Sequence, residues 1–157
     1  MRLVTHTEYA EWSEISDLME DATEVAYKSP CQKSKRGVII VKDGNIIGRG
    51  FNSPFLGECN NEQGYTCREY CEHAEDAALK DAKERGVDVS GARMFHIKVK
   101  NGVPVASESP SCSRCANLAL EEGILEFVLK HENGYGVYGI AEFHELSVRN
   151  DSHKITK

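Results

Sequence analysis

His73-Ala74-Glu75 and Cys112-Ser113-Arg114-Cys115 each stand at the head of a stretch with helical periodicity. In the first, Ala74, Ala77, Ala78 and Ala82 fall on one face, and Gly86 suits the C-terminal stop of a helix over 73–85. In the second, residues 112–122 read as a helix capped by Ser111 and stopped at Gly123. A Cys-x-x-Cys pair puts two thiolates on one helical turn, within reach of one ion. The free N–H groups of a helix start favour the thiolate charge. His73, at a second helix start, supplies a third ligand. Three protein ligands leave the fourth tetrahedral position open to water, which is the layout of a catalytic zinc site. Glu75 lies two residues from His73, beside the metal position and free to handle protons.

Alone, each motif is weak. A His-x-Glu is common on surfaces, and a Cys-x-x-Cys also serves structural zinc half-sites and redox pairs. The redox reading needs the pair in its own βαβ unit and leaves His73 and Glu75 unexplained. Both motifs at helix starts, in this order, match a zinc-deaminase signature.

The rest of the chain is compatible with an enzyme of that size. Its 157 residues fit one domain, with a core over about 8–145 and a polar tail over 150–157. Hydrophobic residues at 40% and charged residues at 28% argue against disorder. A net charge of −6 disfavours a general nucleic-acid binder, which usually carries a basic face. No apolar run is long enough to span a bilayer, and the N-terminus is acidic without the apolar run of an export signal. The expected location is therefore the cytoplasm. There the six cysteines are expected to be thiols or metal ligands, not disulfides.

The remaining elements follow from period and turn chemistry. Trp12, Ile15, Leu18, Met19, Ala22, Val25 and Ala26 mark one face of a helix over 8–27. Asp43-Gly44 between two apolar runs, and Asn101-Gly102 between RMFHIKV and VPVAS, predict two hairpins. ILEFVLK reads as a strand, and GYGVYGIAEFHELS as a strand plus a short helix. The order predicts a mixed sheet covered by helices on both faces. Residues 51–72 form a long polar loop.

On these motifs the chain resembles the cytidine/deoxycytidylate deaminase superfamily, and within it the deoxycytidylate deaminases. The resemblance covers about residues 8–145. It implies a three-layer α-β-α sandwich with a mixed five-stranded sheet. It implies His73, Cys112 and Cys115 as zinc ligands and Glu75 as proton shuttle. Histidine as the first ligand sets the chain with the deaminases of nucleotides and of bases in nucleic acid, apart from free cytidine deaminases. Ser29-Pro30-Cys31 and Gly50-Phe51-Asn52-Ser53 are similar to the opening segments of deoxycytidylate deaminases. By that match Asn52 hydrogen-bonds the nucleotide sugar; by its local sequence it equally reads as a turn residue. Ala74 and Ser111 complete the implied substrate contacts. Three features depart from the family pattern: Ser111 separates Pro110 from Cys112, Ala77 stands where that branch has Asn, and the arm VKNGVPVAS is inserted before the second motif.

The implied reaction is hydrolytic deamination of a cytosine nucleotide, dCMP to dUMP first, with zinc-activated water attacking C4 and Glu75 carrying the proton. The alternatives are deamination of a base in tRNA or single-stranded DNA, or of another nucleoside or base, and last a non-catalytic zinc module. Retention of Glu75 argues against the last. A homo-oligomer is implied by the family. Of the remaining cysteines, Cys31, Cys59, Cys67 and Cys71 read either as buried thiols or as a second, structural zinc site; the family match touches Cys31 and Cys59. Arg68 and Arg114 read equally as phosphate ligands or surface ion pairs. His96 reads as a solvent-face or packed histidine, His131 as unpartnered, and Tyr135, Tyr138 and Phe143 as core.

Overall fold

The computed structural model describes residues 1–55, 58, 59 and 70–155. Cys67 and Arg68 lie outside them. Strand β1 (Arg2–Val4) precedes helix α1 (Tyr9–Ala26), and β2 (Lys35–Lys42) and β3 (Asn45–Phe51) form a hairpin. Two short strands, β4 (Ser53–Pro54) and β5 (Cys71–Glu72), pair with each other and lead into α2 (Ala74–Glu84). Then come β6 (Arg93–Lys100), β7 (Val103–Val105), α3 (Ser113–Glu121), β8 (Glu126–His131), β9 (Gly134–Gly139) and α4 (Ile140–Ile155). Among the described residues no helix is long and apolar enough to cross a membrane.

The main sheet runs β1-β9-β8-β6-β2-β3, with β7 added to β6. Only β6 and β8 are parallel; the other pairings are antiparallel. The five expected strands are thus its centre, and two short strands extend it to seven. β1 adds three residues to the β9 edge, too short a segment to show a period. The inserted arm is the β6–β7 hairpin.

Alternation along the central strands divides the core in two. Ile39, Val41, Phe95, Ile97 and Val128 face α1, against Ile15, Met19, Ala22 and Ala26. Val38, Ile40, Met94, Phe127 and Leu129 face α2, α3 and α4, against Ala78, Ala82, Ala116, Ala119 and Phe143. Tyr135 packs in the first layer and Tyr138 in the second, as core residues. Both hairpin turns have paired positive φ, at Asp43 (52°) and Gly44 (79°) and at Asn101 (53°) and Gly102 (79°), the type I′ pattern.

Two expectations are corrected. Residues 150–155 are not a loose polar tail but the last turns of α4, because Asp151 is buried (6% exposed) and its carboxylate accepts the Ser113 N–H at 2.8 Å. For the same reason Ser111 is not the cap of α3. Cys112 holds the cap position without a side-chain cap bond, and Asp151 reaches across from α4 to satisfy the helix start.

Helix α2 lies close on the sheet because β3 presents glycines to it. A Cβ on Gly50 would stand 2.2 Å from the Ala78 nitrogen and 2.5 Å from the Ala74 carbonyl oxygen. Both are backbone atoms, so relief requires moving the helix. Gly50→Ala is expected to cost about 1–3 kcal/mol in urea unfolding. A variant as stable as the parent would show that α2 is not seated by this contact.

Candidate active site

Both motif helices start at the same place. His73 is the cap residue of α2, in extended conformation (φ −79°, ψ 151°), and Cys112 is the cap residue of α3 in nearly the same conformation (φ −61°, ψ 152°). Neither side chain bonds back to the helix it begins. The two caps face each other, and Cys115 joins them from the first turn of α3. His73 Nδ1 lies 3.4 Å from Cys112 Sγ and 3.3 Å from Cys115 Sγ. Among the described residues this is the one group of three donors whose ligating atoms all lie within 4.8 Å of one another.

The donor set fits a zinc ion. With Zn–S near 2.3 Å and Zn–N near 2.0–2.1 Å, the N–S edge of a tetrahedron is about 3.6 Å. The observed separations are close to that edge. Charge points the same way. Cys112 accepts the thiol hydrogen of Cys115, which pushes its own thiol down to about 4 and holds the Cys115 proton in place. His73 is shifted up, chiefly by its bond to Cys112. Both neighbours thus favour the Cys112 thiolate, a charge that a divalent cation would also favour.

Glu75, 4% exposed, sits in the first turn of α2 on the wall of a cavity of about 350 Å³. His73, Ala74, Ser111 and Cys112 line the same cavity, as do Asn52, Lys33, Arg36 and His96. The catalytic, ligating and substrate-contact residues read from the sequence are therefore brought together. Asn52 takes the local role that its sequence context suggests. Its Oδ1 accepts from Ser29 Oγ (2.7 Å) and from the Arg36 N–H (2.8 Å), and its Nδ2 donates to the Ser34 carbonyl (3.1 Å). It staples the 29–36 segment to the end of β3 and still faces the cavity.

The four-cysteine set is not assembled among its described members. Cys31, Cys59 and Cys71 are buried, but they do not form a group with all three sulfurs within 4.8 Å of one another. Cys59 Sγ accepts the Gln32 N–H at 3.3 Å, which places it beside Cys31. Cys67 lies outside the described residues. Arg114 pairs with Asp76 at 2.5 Å and so ties α3 to α2 instead of entering the cavity.

Two histidines take roles that sequence alone did not reveal. His131 Nε2 is 2.8 Å from Tyr138 Oη, and Nδ1 is 3.0 Å from Glu108 Oε1. With the Ser107 N–H bonded to the Lys130 carbonyl (2.9 Å), this anchors the 107–111 strap that walls the cavity before Cys112. His96, on β6, is buried in the cavity wall, where Arg36 Nη1 donates to its Nε2 at 3.3 Å. The Arg36 partner of His96 comes through the β2–β6 pairing, and the partners of His131 come from the β8–β9 hairpin and from the strap.

Burial pushes His96 down to about 4 from its ordinary 6.5; Glu75 opposes this, and Arg36 and Lys98 add to it. Between these values the unfolded chain binds a proton that the folded chain does not. Stability is therefore whole above about pH 6.5 and is lost as pH falls toward about 4, by up to about 3 kcal/mol from this group. His96→Phe is expected to flatten that limb in urea unfolding at about pH 7 and about pH 5. An unchanged slope would assign the limb to other groups.

A search of curated protein sequences gave no match. Among solved structures, the chain is similar to dCMP deaminase from the cyanophage S-TIM5 in complex with dCMP and dUMP (TM-score 0.58, 23% identity, 71% of this chain and 76% of that one). The apo form of that enzyme gives a TM-score of 0.56 at 23% identity, over 72% of this chain and 79% of that one. Cytidine deaminase from Burkholderia pseudomallei gives 0.55 at 20% identity, over 82% of this chain and 94% of that one. At these identities the likeness establishes the fold. Residues 12–131 match the cytidine and deoxycytidylate deaminase zinc-binding region, a span that includes the His73, Cys112 and Cys115 cluster, and the chain belongs to that family.

Proposed function

We propose that this chain is a zinc-dependent hydrolytic deaminase of a cytosine nucleotide, with deoxycytidylate the first substrate. The observation that carries the reading is the burial of Glu75 in one cavity with the His73, Cys112 and Cys115 donor set. His73 Nδ1 and the two sulfurs would hold the ion. When bound, zinc supplies a Lewis acid that makes a water molecule a competent nucleophile near neutral pH. Glu75 takes a proton from the attacking water and delivers it to ring N3, which makes C4 electrophilic. Glu75 next takes the remaining proton from the hydroxyl added at C4 and passes it to the exocyclic amine; the C4–N bond breaks, ammonia leaves and C4 becomes a carbonyl. One carboxylate cycling between acid and base completes the proton balance.

The remaining contacts supply orientation. Asn52 faces the sugar, Ala74 forms the wall against the base, and the backbone at Ser111 receives the departing amine. Lys33 and Arg36 give the same cavity cationic groups suited to a phosphate. The cyanophage relative, solved with dCMP and dUMP, supports a mononucleotide. Homo-oligomeric assembly belongs to the same reading.

Glu75→Ala is expected to keep the fold and the ion and to lose nearly all turnover. Cys112→Ala is expected to lose the ion, as read by elemental analysis, along with part of its stability. A zinc-loaded Glu75→Ala near the parental rate would refute the proton role. Elemental analysis also counts ions: two per chain, falling to one in Cys59→Ser, would assign the second to the Cys31, Cys59, Cys67 and Cys71 set, and one per chain in the parent would refute that set. Across a substrate panel, ammonia release is expected to be fastest from dCMP or a phosphorylated relative. A clear preference for tRNA or single-stranded DNA would overturn the mononucleotide reading and leave the chemistry standing.

A further inference from the structure

A row of cations leaves the cavity along one end of the sheet. Arg36 on β2 lines the cavity and is the direct register partner of Lys98 on β6. Residues opposite each other across a ladder share a face, with Cβ atoms about 5 Å apart. Lys100 follows on the same face of β6, roughly 7 Å beyond Lys98. The other face of this strand end is apolar, with Ile97 and Val99 buried in the layer that holds α1. The row thus begins at the cavity with Arg36 and continues outside it, onto the strand that carries the inserted arm.

The protein does not balance these charges. Among the described residues none of the three forms an ion pair with a carboxylate. The Arg36 guanidinium donates to the neutral His96 ring. Lys98 gives up its proton more readily than a free lysine, because it is partly buried and because Arg36 and Lys100 repel its charge. Like charges directly opposite each other weaken a ladder. A neutral polar residue would serve a solvated strand end without that repulsion. The arrangement suits an anion long enough to reach from the cavity to Lys100.

Resting on the deaminase reading of that cavity, we propose that Arg36, Lys98 and Lys100 form a subsite for phosphates beyond the first, and that the substrate class is the cytosine nucleoside di- and triphosphates. A polyphosphate presents one anionic group after another, and the row presents one cation after another. A nucleic-acid strand separates its phosphates with sugars, and proteins that hold single strands supply aromatic faces for the bases. Here the register partners of Lys98 and Lys100 on β7 are Val105 and Val103, which offer a base nothing to stack on. Lys100 also belongs to the arm that departs from the deoxycytidylate pattern, so the departure falls where the substrates would differ.

The test compares dCMP, dCDP and dCTP on the zinc-loaded protein. Each exposed charge pair is worth a few-fold, so Lys98 and Lys100 together are expected to raise kcat/KM roughly tenfold from dCMP to dCTP. In the double variant Lys98→Gln, Lys100→Gln that ratio is expected to fall close to one, and in Lys98→Arg, Lys100→Arg to persist. A parental ratio of one or below, or a ratio unchanged by the Gln pair, would overturn the proposal. A cytosine-containing oligonucleotide enters the same panel. Faster turnover of it than of dCTP, lost with the Gln pair, would assign the row to a strand and overturn the proposal as well. A second measurement needs no variant to fold: dUTP is expected to bind the parent roughly tenfold more tightly than dUMP, by a margin that shrinks as salt rises. Equal affinities would count against the subsite. Turnover of dCMP with no gain from added phosphates sinks this inference alone. Absence of turnover on every cytosine compound sinks the deaminase reading and this inference with it.

Discussion

The site depends on two helix starts being brought to one point and kept there. Each contributes an extended cap residue, His73 on α2 and Cys112 on α3, so the ligating atoms leave the helices sideways and meet. Neither helix start is secured by its own side-chain cap. The fold supplies the restraint from outside. Gly50 lets α2 approach β3 at backbone distance, Asp151 of α4 caps α3, and the Asp76–Arg114 pair joins the helices. A shift of one turn in either helix would open the N–S separations well beyond a coordination edge, since one turn is about 5.4 Å.

The wall between the inserted β6–β7 arm and the second motif illustrates how an insertion can be absorbed. The arm pairs on β6 through a type I′ turn, and the chain must then return to Cys112 at the right place. Ser107 does this by its bond to Lys130, and Glu108 by its pair with His131, which Tyr138 holds from the other side. These contacts come from β8, next to β6 in the sheet, and from β9 beyond it. The strap is anchored to the far side of the parallel pair, so the length of the arm does not propagate to the ligands.

Much of this was legible before the fold was known. Helix starts, apolar faces and both Asp-Gly and Asn-Gly turns are local, and local rules place them within a residue or two of where they lie. The His73, Glu75, Cys112 and Cys115 constellation was legible because two motifs constrain each other. What was missed depends on tertiary context. β1 is three residues whose partner is at the other end of the chain. The end of α4 looks like a polar tail because its buried anchor is an aspartate, and only the α3 helix start explains that burial. His96 and His131 carry no spacing signal at all; the β2–β6 pairing brings Arg36 to the first, and the strap before Cys112 brings Glu108 to the second.

Net charge misleads in the same way. A formal charge of −6 describes the whole surface, whereas the cavity feels the groups that register brings to it. Arg36 and Lys98 are direct partners across β2 and β6. Like charges opposite each other destabilise a sheet. Burial, and then Arg36 and Lys100, hold the Lys98 ammonium below its ordinary range, which is the electrostatic trace of that crowding. His96 does not relieve the repulsion, because it accepts from Arg36 as a neutral ring. An anion in the cavity that Lys33 and Arg36 line would offset it.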